Sequence, residues 1–250
     1  MNTSTLPLTG KIAIVTGGSR SIGAAIAKRL AADGATVAIT YNASPDRAAA
    51  VVQEIVAAGG QAVALAADAG NPEAVRAAIA EVAQRFGKID ILVNNAGISL
   101  LGAPEDIVFE DFQRILAVNV TGVFVATQQA LKHMGQGGRI IHIGSSMVQY
   151  AAFATASVYT LSKGALTGFS RGLVRDLGPR GITVNTVHPG PTDSDMNPAD
   201  GPIADFLRPN IAMGRYGEGK DVASAVAYLA SAEAGFVTGA ELIVDGGFTA

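Results

Sequence analysis

A chain of 250 residues, 49% hydrophobic and only 16% charged, has ample apolar material for a core, which excludes a disordered polymer. With no Cys it holds neither disulfides nor thiolate-bound metal, and a net charge of −3 lacks the basic footprint of a nucleic-acid binder. The charge deficit is concentrated, because residues 140–162 contain no Asp, Glu, Lys or Arg, a stretch as long as the roughly 20 residues of a membrane span.

Residues 1–8 show no basic region followed by an apolar run, so no signal peptide is expected and a cytoplasmic location is. No fixed-period repeat, low-complexity tract or Pro/Ser-rich linker divides the chain. One domain over 1–250 is the simplest expectation, with a long loop at about 191–215.

Short apolar runs at 12–15, 36–41, 62–67, 89–94, 139–145, 182–188 and 240–244 predict strands. They are apolar almost throughout, which marks strands buried on both faces of a parallel sheet. Amphipathic stretches separate them. Ile22, Ile26 and Leu30 recur every four residues, and 73–86 carries Val75, Ile79, Val82 and Phe86 on one stripe, with Asn71 as N-cap and Pro72 at the first helical position. This alternation predicts an α/β fold: a Rossmann-type, doubly wound, seven-stranded parallel sheet with helices on both faces. Ligands of such sheets bind outside the carboxyl ends of the strands, so the residues just after each strand matter most.

After the first strand, Thr16-Gly17-Gly18-Ser19-Arg20-Ser21-Ile22-Gly23 runs into a helix. A small-residue turn at a helix N-terminus presents free N–H groups and a positive dipole end to a phosphate, although an ordinary βα loop can look the same. The second strand ends in Tyr41-Asn42-Ala43-Ser44, with no acid where a ribose 2′-hydroxyl is usually bound. That permits a 2′-phosphate, with Arg20 as counter-charge and Asn42 and Ser44 as donors; the alternative is a merely solvated Arg20. Asp68 follows the third strand and could accept from an adenine amino group or cap the helix at Pro72. Asn94-Asn95-Ala96-Gly97 follows the fourth and suits a backbone passing close to a cofactor, or structural bracing by Asn95.

The strongest constellation lies in the uncharged stretch. Tyr159 and Lys163, four residues apart, share one helix face, and a neighbouring ammonium favours the phenolate. Ser146, which lies 13 residues before Tyr159 and follows the fifth strand, could polarise a carbonyl by hydrogen bonding while Tyr159 delivers the proton.

With these residues in place, the chain resembles the short-chain dehydrogenase/reductases of the roughly 250-residue kind. The matching motifs are Thr16-Gly17…Gly23, Asn94-Asn95-Ala96-Gly97, Asn119 within Val118-Asn119-Val120, Ser146, Tyr159-x-x-x-Lys163 and His188-Pro189-Gly190. The resemblance implies a tetrad: Tyr159 as general acid/base, Ser146 orienting the carbonyl, Lys163 lowering the Tyr pKa and holding the nicotinamide ribose, and Asn119 anchoring a water chain to Lys163. It implies cofactor contacts from Gly17, Ser19, Arg20, Ile22, Asp68 and Asn95, and from Pro189, Gly190 and Thr192 at the nicotinamide. It also implies a homotetramer built on the helices bearing Asn119 and Tyr159. Ser21 departs from the family by standing where a Gly is usual, adding a Cβ where backbone and pyrophosphate approach.

NADP(H) is therefore expected over NAD(H), with a small-molecule ketone or alcohol as substrate and no metal, membrane or nucleic-acid partner. Met196, Phe206 and the other apolar residues of 191–215, with Ser146, Met147, Tyr150 and Phe153, are expected to line an apolar pocket, or else to pack only against protein. The expected reaction is reversible, NADPH-dependent reduction of a ketone to a secondary alcohol. One alternative is a 3-oxoacyl thioester reductase acting on a carrier protein or coenzyme A; the resemblance implies basic residues before the fifth strand in relatives that act on carrier protein, and His133-Met134-Gly135-Gln136-Gly137-Gly138 in their place weakens the carrier-protein form. Another is a catalytically silent NADP-binding regulator.

Overall fold

Residues 6–250 are described by a computed structural model; the first five residues of the segment inspected for a signal peptide lie outside it. The strands are β1 (Ile12–Val15), β2 (Thr36–Tyr41), β3 (Gln61–Ala66), β4 (Ile91–Asn94), β5 (Arg139–Ile143), β6 (Thr183–Pro189) and β7 (Glu241–Val244). They form one parallel sheet in the order β3-β2-β1-β4-β5-β6-β7. The order reverses between β1 and β4, so a crevice opens at their carboxyl ends.

The apolar runs form strands because both faces of the sheet are covered. Ala13 and Val15 pack on one side with Ile26 and Leu30 of α1 (Ser21–Ala32) and Val222 and Val226 of α8 (Gly219–Ala230). On the other side, Ile12 and Ile14 meet Ile79 and Val82 of α3 (Pro72–Phe86). Each large side chain removed from water in this way contributes roughly 1.5–3 kcal/mol. The edge strands depart from the pattern, since β3 and β7 are only partly buried and Ile243 is 38% exposed. The helix α2 (Pro45–Ala57) lies on the α1 side.

Local signals behave as expected in α3. The Asn71 side chain accepts from the backbone N–H groups of Glu73 and Ala74, Pro72 opens the helix, and Gly87 ends it at φ +80°. The uncharged stretch divides into the end of β5, a short 3-10 turn at Ser146–Val148 and the first turn of α6 (Ser157–Leu177). Among the described residues, no helix is long and apolar enough to cross a membrane.

Two further segments frame the crevice. One π-helical turn, Ala117–Thr121, joins α4 (Phe109–Leu116) to α5 (Gly122–Ala130) and turns Asn119 inward; such turns often mark functional positions. The 191–215 loop contains only the short helix α7 (Ala204–Leu207) and the 3-10 turn Arg208–Asn210. It is held by a small separate core of Ala204, Leu207, Ile211, Tyr216 and Phe248.

Candidate active site

A cavity of about 360 Å³ lies at the carboxyl ends of the strands, over the switch in strand order. Gly17, Ser19, Arg20, Ser21, Ile22, Gly23, Tyr41, Asn42, Ser44, Asp68, Asn95, Ala96, Gly97, Lys163, Pro189 and Met196 all border it. Its floor is a close-packed turn. Gly17 sits at φ +65°, and a Cβ there would come within 2.9 Å of Ala96 Cα. At Gly23 a Cβ would lie 2.3 Å from the Gly17 carbonyl oxygen.

Asn95 braces this turn: its side-chain amide donates to the carbonyls of Thr16 at 2.9 Å and Gly17 at 3.0 Å. The Thr16 hydroxyl accepts from the N–H groups of Asn95 and Ala96, both at 3.0 Å. The bracing alternative for Asn95 is thus the contact present. Ser21 takes φ +48°, a left-handed conformation that glycine adopts freely and that costs other residues roughly 1–2 kcal/mol. The departure from glycine is thereby accommodated at the price of local strain.

Two charged groups are placed more definitely than the sequence could show. Asp68 does not cap α3; it accepts from the Arg114 guanidinium at 2.9 and 3.1 Å and from the Gly70 N–H, and Arg114 holds its carboxyl below the usual range. The cap belongs to Asn71, because an Asx side chain reaches the free N–H groups only from the position directly before the helix. Arg20 is not merely solvated, since it pairs with Asp195 of the 191–215 loop at 3.2 Å. Arg47 and Arg114, which periodicity and motif did not single out, also reach this region.

The reactive constellation differs in one serine. The hydroxyl that holds down the Tyr159 pKa is that of Ser145, where the sequence expectation named its neighbour Ser146. Ser145 is extended (φ −162°, ψ 142°), whereas Ser146 begins the 3-10 turn and uses its carbonyl to accept from Gln149 and Tyr150. Adjacent serines offer the same chemistry in sequence, and only the local backbone decides which one faces the phenol. His188 fixes that backbone: the Ser145 N–H donates to its Nδ1 at 3.2 Å, while Nε2 lies 3.5 Å from the Glu241 carboxylate.

Burial pushes the Tyr159 phenol above its ordinary value, and the Ser145 hydrogen bond holds the rise back. This reverses the expectation that Lys163 lowers it. Lys163 is itself pushed down to about 8 by burial, and its Nζ donates to the Ile143 carbonyl at 2.9 Å. Asn119 spends its amide on Ile98, accepting from the N–H at 2.9 Å and donating to the carbonyl at 2.9 Å, and also donates to Ser162 Oγ at 3.0 Å. Gly97 keeps this corner open, because a Cβ there would stand 3.1 Å from Lys163 Nζ and 3.4 Å from Asn119 Oδ1.

Past β6 the roles are more structural than expected. The Thr192 side chain is buried, and its hydroxyl donates to the Gly190 carbonyl at 3.0 Å instead of facing the cavity. A Cβ at Gly190 would lie 2.4 Å from Asp245 Cβ, so this glycine serves close packing. Of the expected substrate-pocket residues, only Met196 borders the large cavity. Phe153 packs against the small core of the 191–215 loop, and Tyr150 meets Phe248 edge-on at 6.0 Å. Phe206 is 56% exposed on α7, because its neighbours Ala204 and Leu207 take the buried face.

The residues fit a dinucleotide. The first-turn N–H groups of α1 have no acceptor within the helix, Gly17 and Gly23 let the turn pack closely beneath them, and no carboxylate closes β2.

Known proteins agree with this geometry. A family profile described as "Enoyl-(Acyl carrier protein) reductase" matches residues 17–249. A short-chain dehydrogenase from Burkholderia cenocepacia, solved in complex with NADP, is 54% identical with a TM-score of 0.96, covering 98% of this chain and 100% of that one. The cyclic-di-GMP-binding biofilm dispersal mediator protein of Escherichia coli is 43% identical over 97% of this chain and 98% of its own. A probable tetrahydroxynaphthalene reductase of Zymoseptoria tritici is 36% identical over 96% of this chain and 94% of its own. With the motifs, the sheet order and these likenesses together, the chain belongs to the short-chain dehydrogenase/reductases and is an oxidoreductase of that family.

Proposed function

We propose that this chain reduces a ketone to a secondary alcohol with NADPH, reversibly. The observation that carries the reading is the half-buried phenol of Tyr159, kept protonated at neutral pH, with Ser145 beside it and one helical turn from Lys163, which borders the cavity over the glycine turn. Bound NADPH supplies a hydride to the carbonyl carbon. The Gly17–Gly23 turn would hold its pyrophosphate, and Arg20, Asn42 and Ser44 its 2′-phosphate. Asp68 would stand by the adenine and Pro189 by the nicotinamide. The NADP-bound relative and the missing acid after β2 support this choice over NADH.

On the protein side, Ser145 donates to the carbonyl oxygen and holds it beside Tyr159. The phenol gives its proton to that oxygen as negative charge grows on it. Lys163 steadies the emerging phenolate, and Asn119 holds the 97–98 backbone beside the ammonium. Exposed apolar side chains on α4, α5 and α6 (Phe109, Phe124 and Leu161) support assembly into a homotetramer through those helices.

A panel of ketones, alcohols and carrier-bound 3-oxoacyl thioesters, run with NADPH and NADH, tests the reading. Tyr159→Phe is expected to lower ketone turnover about 10²–10⁴-fold. Ser145→Ala is expected to cost roughly 10²-fold, and Ser146→Ala far less. Unchanged turnover in Tyr159→Phe sinks the mechanism. A strong preference for the carrier-bound thioester moves the substrate class, and no turnover on any substrate favours a regulator.

A further inference from the structure

His188 is a buried titratable group that the proton transfer above does not use. Its imidazole, fully buried near the end of β6, lies against the end of β5. Gly144 makes the room, because a Cβ there would lie 2.6 Å from His188 Nδ1. The last backbone bond between these strands runs from the Gly144 N–H to the Val187 carbonyl at 2.7 Å, and one residue on the ring takes over. Its Nδ1 meets both backbone groups of Ser145, 3.2 Å from the nitrogen and 2.9 Å from the carbonyl oxygen. One ring atom serves only one of them: without a proton it accepts from the N–H, and with a proton it donates to the carbonyl. The other ring nitrogen, Nε2, forms no hydrogen bond among the described residues and lies 3.5 Å from the Glu241 carboxylate. Glu241 is held there by Arg171 at 2.6 Å and by Gln149 and Thr167, both at 3.4 Å. An ionised carboxylate can only accept, so it favours hydrogen on Nε2 and leaves Nδ1 open to the Ser145 N–H. Glu241 of β7 and Lys163 of α6 are the charged groups that face the ring, with Arg171 of α6 behind Glu241. Burial holds the imidazole below its ordinary value; the Ser145 backbone and Glu241 oppose that shift, and Lys163 adds to it.

We propose that His188 and Glu241 are a positioning pair for the serine corner, in which Glu241 sets the imidazole tautomer and His188 fixes the Ser145 peptide. The inference rests on the ketone-reductase reading above. Neither residue borders the cavity, so both act through Ser145. Ser145 is extended and Ser146 opens the 3-10 turn that follows, so rotating this peptide re-aims both hydroxyls. A second proton on the ring turns Nδ1–H toward the Ser145 carbonyl, which already accepts from the Val148 N–H of that turn at 3.1 Å. The Ser145 N–H then loses its acceptor, and acid loosens the corner. Ionised Glu241 thus does two things: it fixes the working tautomer, and it sets the pH at which that tautomer is lost.

Steady-state kinetics of the full chain from about pH 5 to 9, with NADPH and the fastest ketone of the panel above, test the pair together with nitrogen NMR of the imidazoles. His188→Leu is expected to lower kcat about 10²-fold while the KM for NADPH changes less than about threefold. His188→Asn is expected to recover most of that kcat, because its amide oxygen can accept from the Ser145 N–H near the place of Nδ1. In the wild type, kcat falls on the acid side, below the ordinary histidine range, as the ring gains its second proton. That fall disappears in His188→Asn. Glu241→Gln removes a charge that favours the protonated ring, so there the fall moves to lower pH. The His188 ring, identified in the spectra by its loss in His188→Asn, is expected to carry its hydrogen on Nε2. A kcat for His188→Leu within about threefold of wild type overturns the proposal, as does an acid fall unchanged in both other variants or a neutral ring protonated on Nδ1. Wild-type turnover of the ketone keeps the reductase reading through any of these results. A wild-type chain that reduces no ketone fails that reading, and the positioning pair with it. If melting temperatures show His188→Leu unfolded, the pH profiles of His188→Asn and Glu241→Gln decide.

Discussion

The glycine-turn side of the cavity and the 191–215 loop stand opposite each other and are built in contrasting ways. The turn is held by backbone and short side chains: Asn95 and Thr16 tie it to the end of β4, and Gly17 and Gly23 leave no room for another atom. Opposite, Met196, Ile203, Phe206 and Met213 are exposed, and the loop rests on a core of five buried residues plus the Asp195 ion pairs. Rigid dipoles suit a ligand whose phosphates never change. A lightly anchored apolar loop suits substrates that vary, because it can be repacked without disturbing the sheet.

Three changes break or sharpen that contrast. Lys163→Met has the largest expected effect on stability. Burial holds the folded-state value at about 8 against 10.5, so burying the charged form at neutral pH costs up to about 3 kcal/mol. Between pH 8 and 10.5 the unfolded chain binds more protons than the folded one, so wild-type stability from this group rises with pH across that window. The Met variant should melt higher at pH 7, lack that rise and lose turnover. Equal pH dependence of melting in the two proteins would refute a depressed Lys163.

Next comes Gly23→Ala, whose Cβ meets the Gly17 carbonyl and the Asn95 amide. The expected cost is about 1–3 kcal/mol, with at least a tenfold loss of NADPH affinity. Wild-type affinity in titration would show that the turn yields as readily as the loop. Smallest is Leu207→Ala. A main-core Leu→Ala costs about 2–5 kcal/mol, but here only the small core of the loop is opened. The melting temperature should shift little while the substrate KM rises several-fold and NADPH affinity holds. A large drop in melting temperature would instead join the loop to the main core.

Much of the fold was legible because its signals are local. Continuous apolar runs read as doubly covered strands, and Asn71-Pro72 read as a helix start, each depending on a few adjacent residues. The edge strands β3 and β7 escaped that pattern, since which strand lies outermost depends on partners far away in sequence. The glycine turn and the Tyr159–Lys163 spacing were legible for the same local reason.

Ser145 was not. Choosing between two adjacent hydroxyls requires the backbone angles that His188, 43 residues away, helps to set. Nor does order along the chain show that burial outweighs the nearby ammonium at Tyr159, or that Arg47 meets Asp195 across 148 residues. Local sequence signals alone determined that this protein is a covered parallel sheet with a glycine turn opening its first helix and a Tyr/Lys pair one turn apart, because those features rest on short-range sterics, spacing and apolar burial. Only the tertiary structure decided which serine faces the phenol, which charges are paired and how each proton is held, because those depend on burial and on contacts between residues distant in the chain.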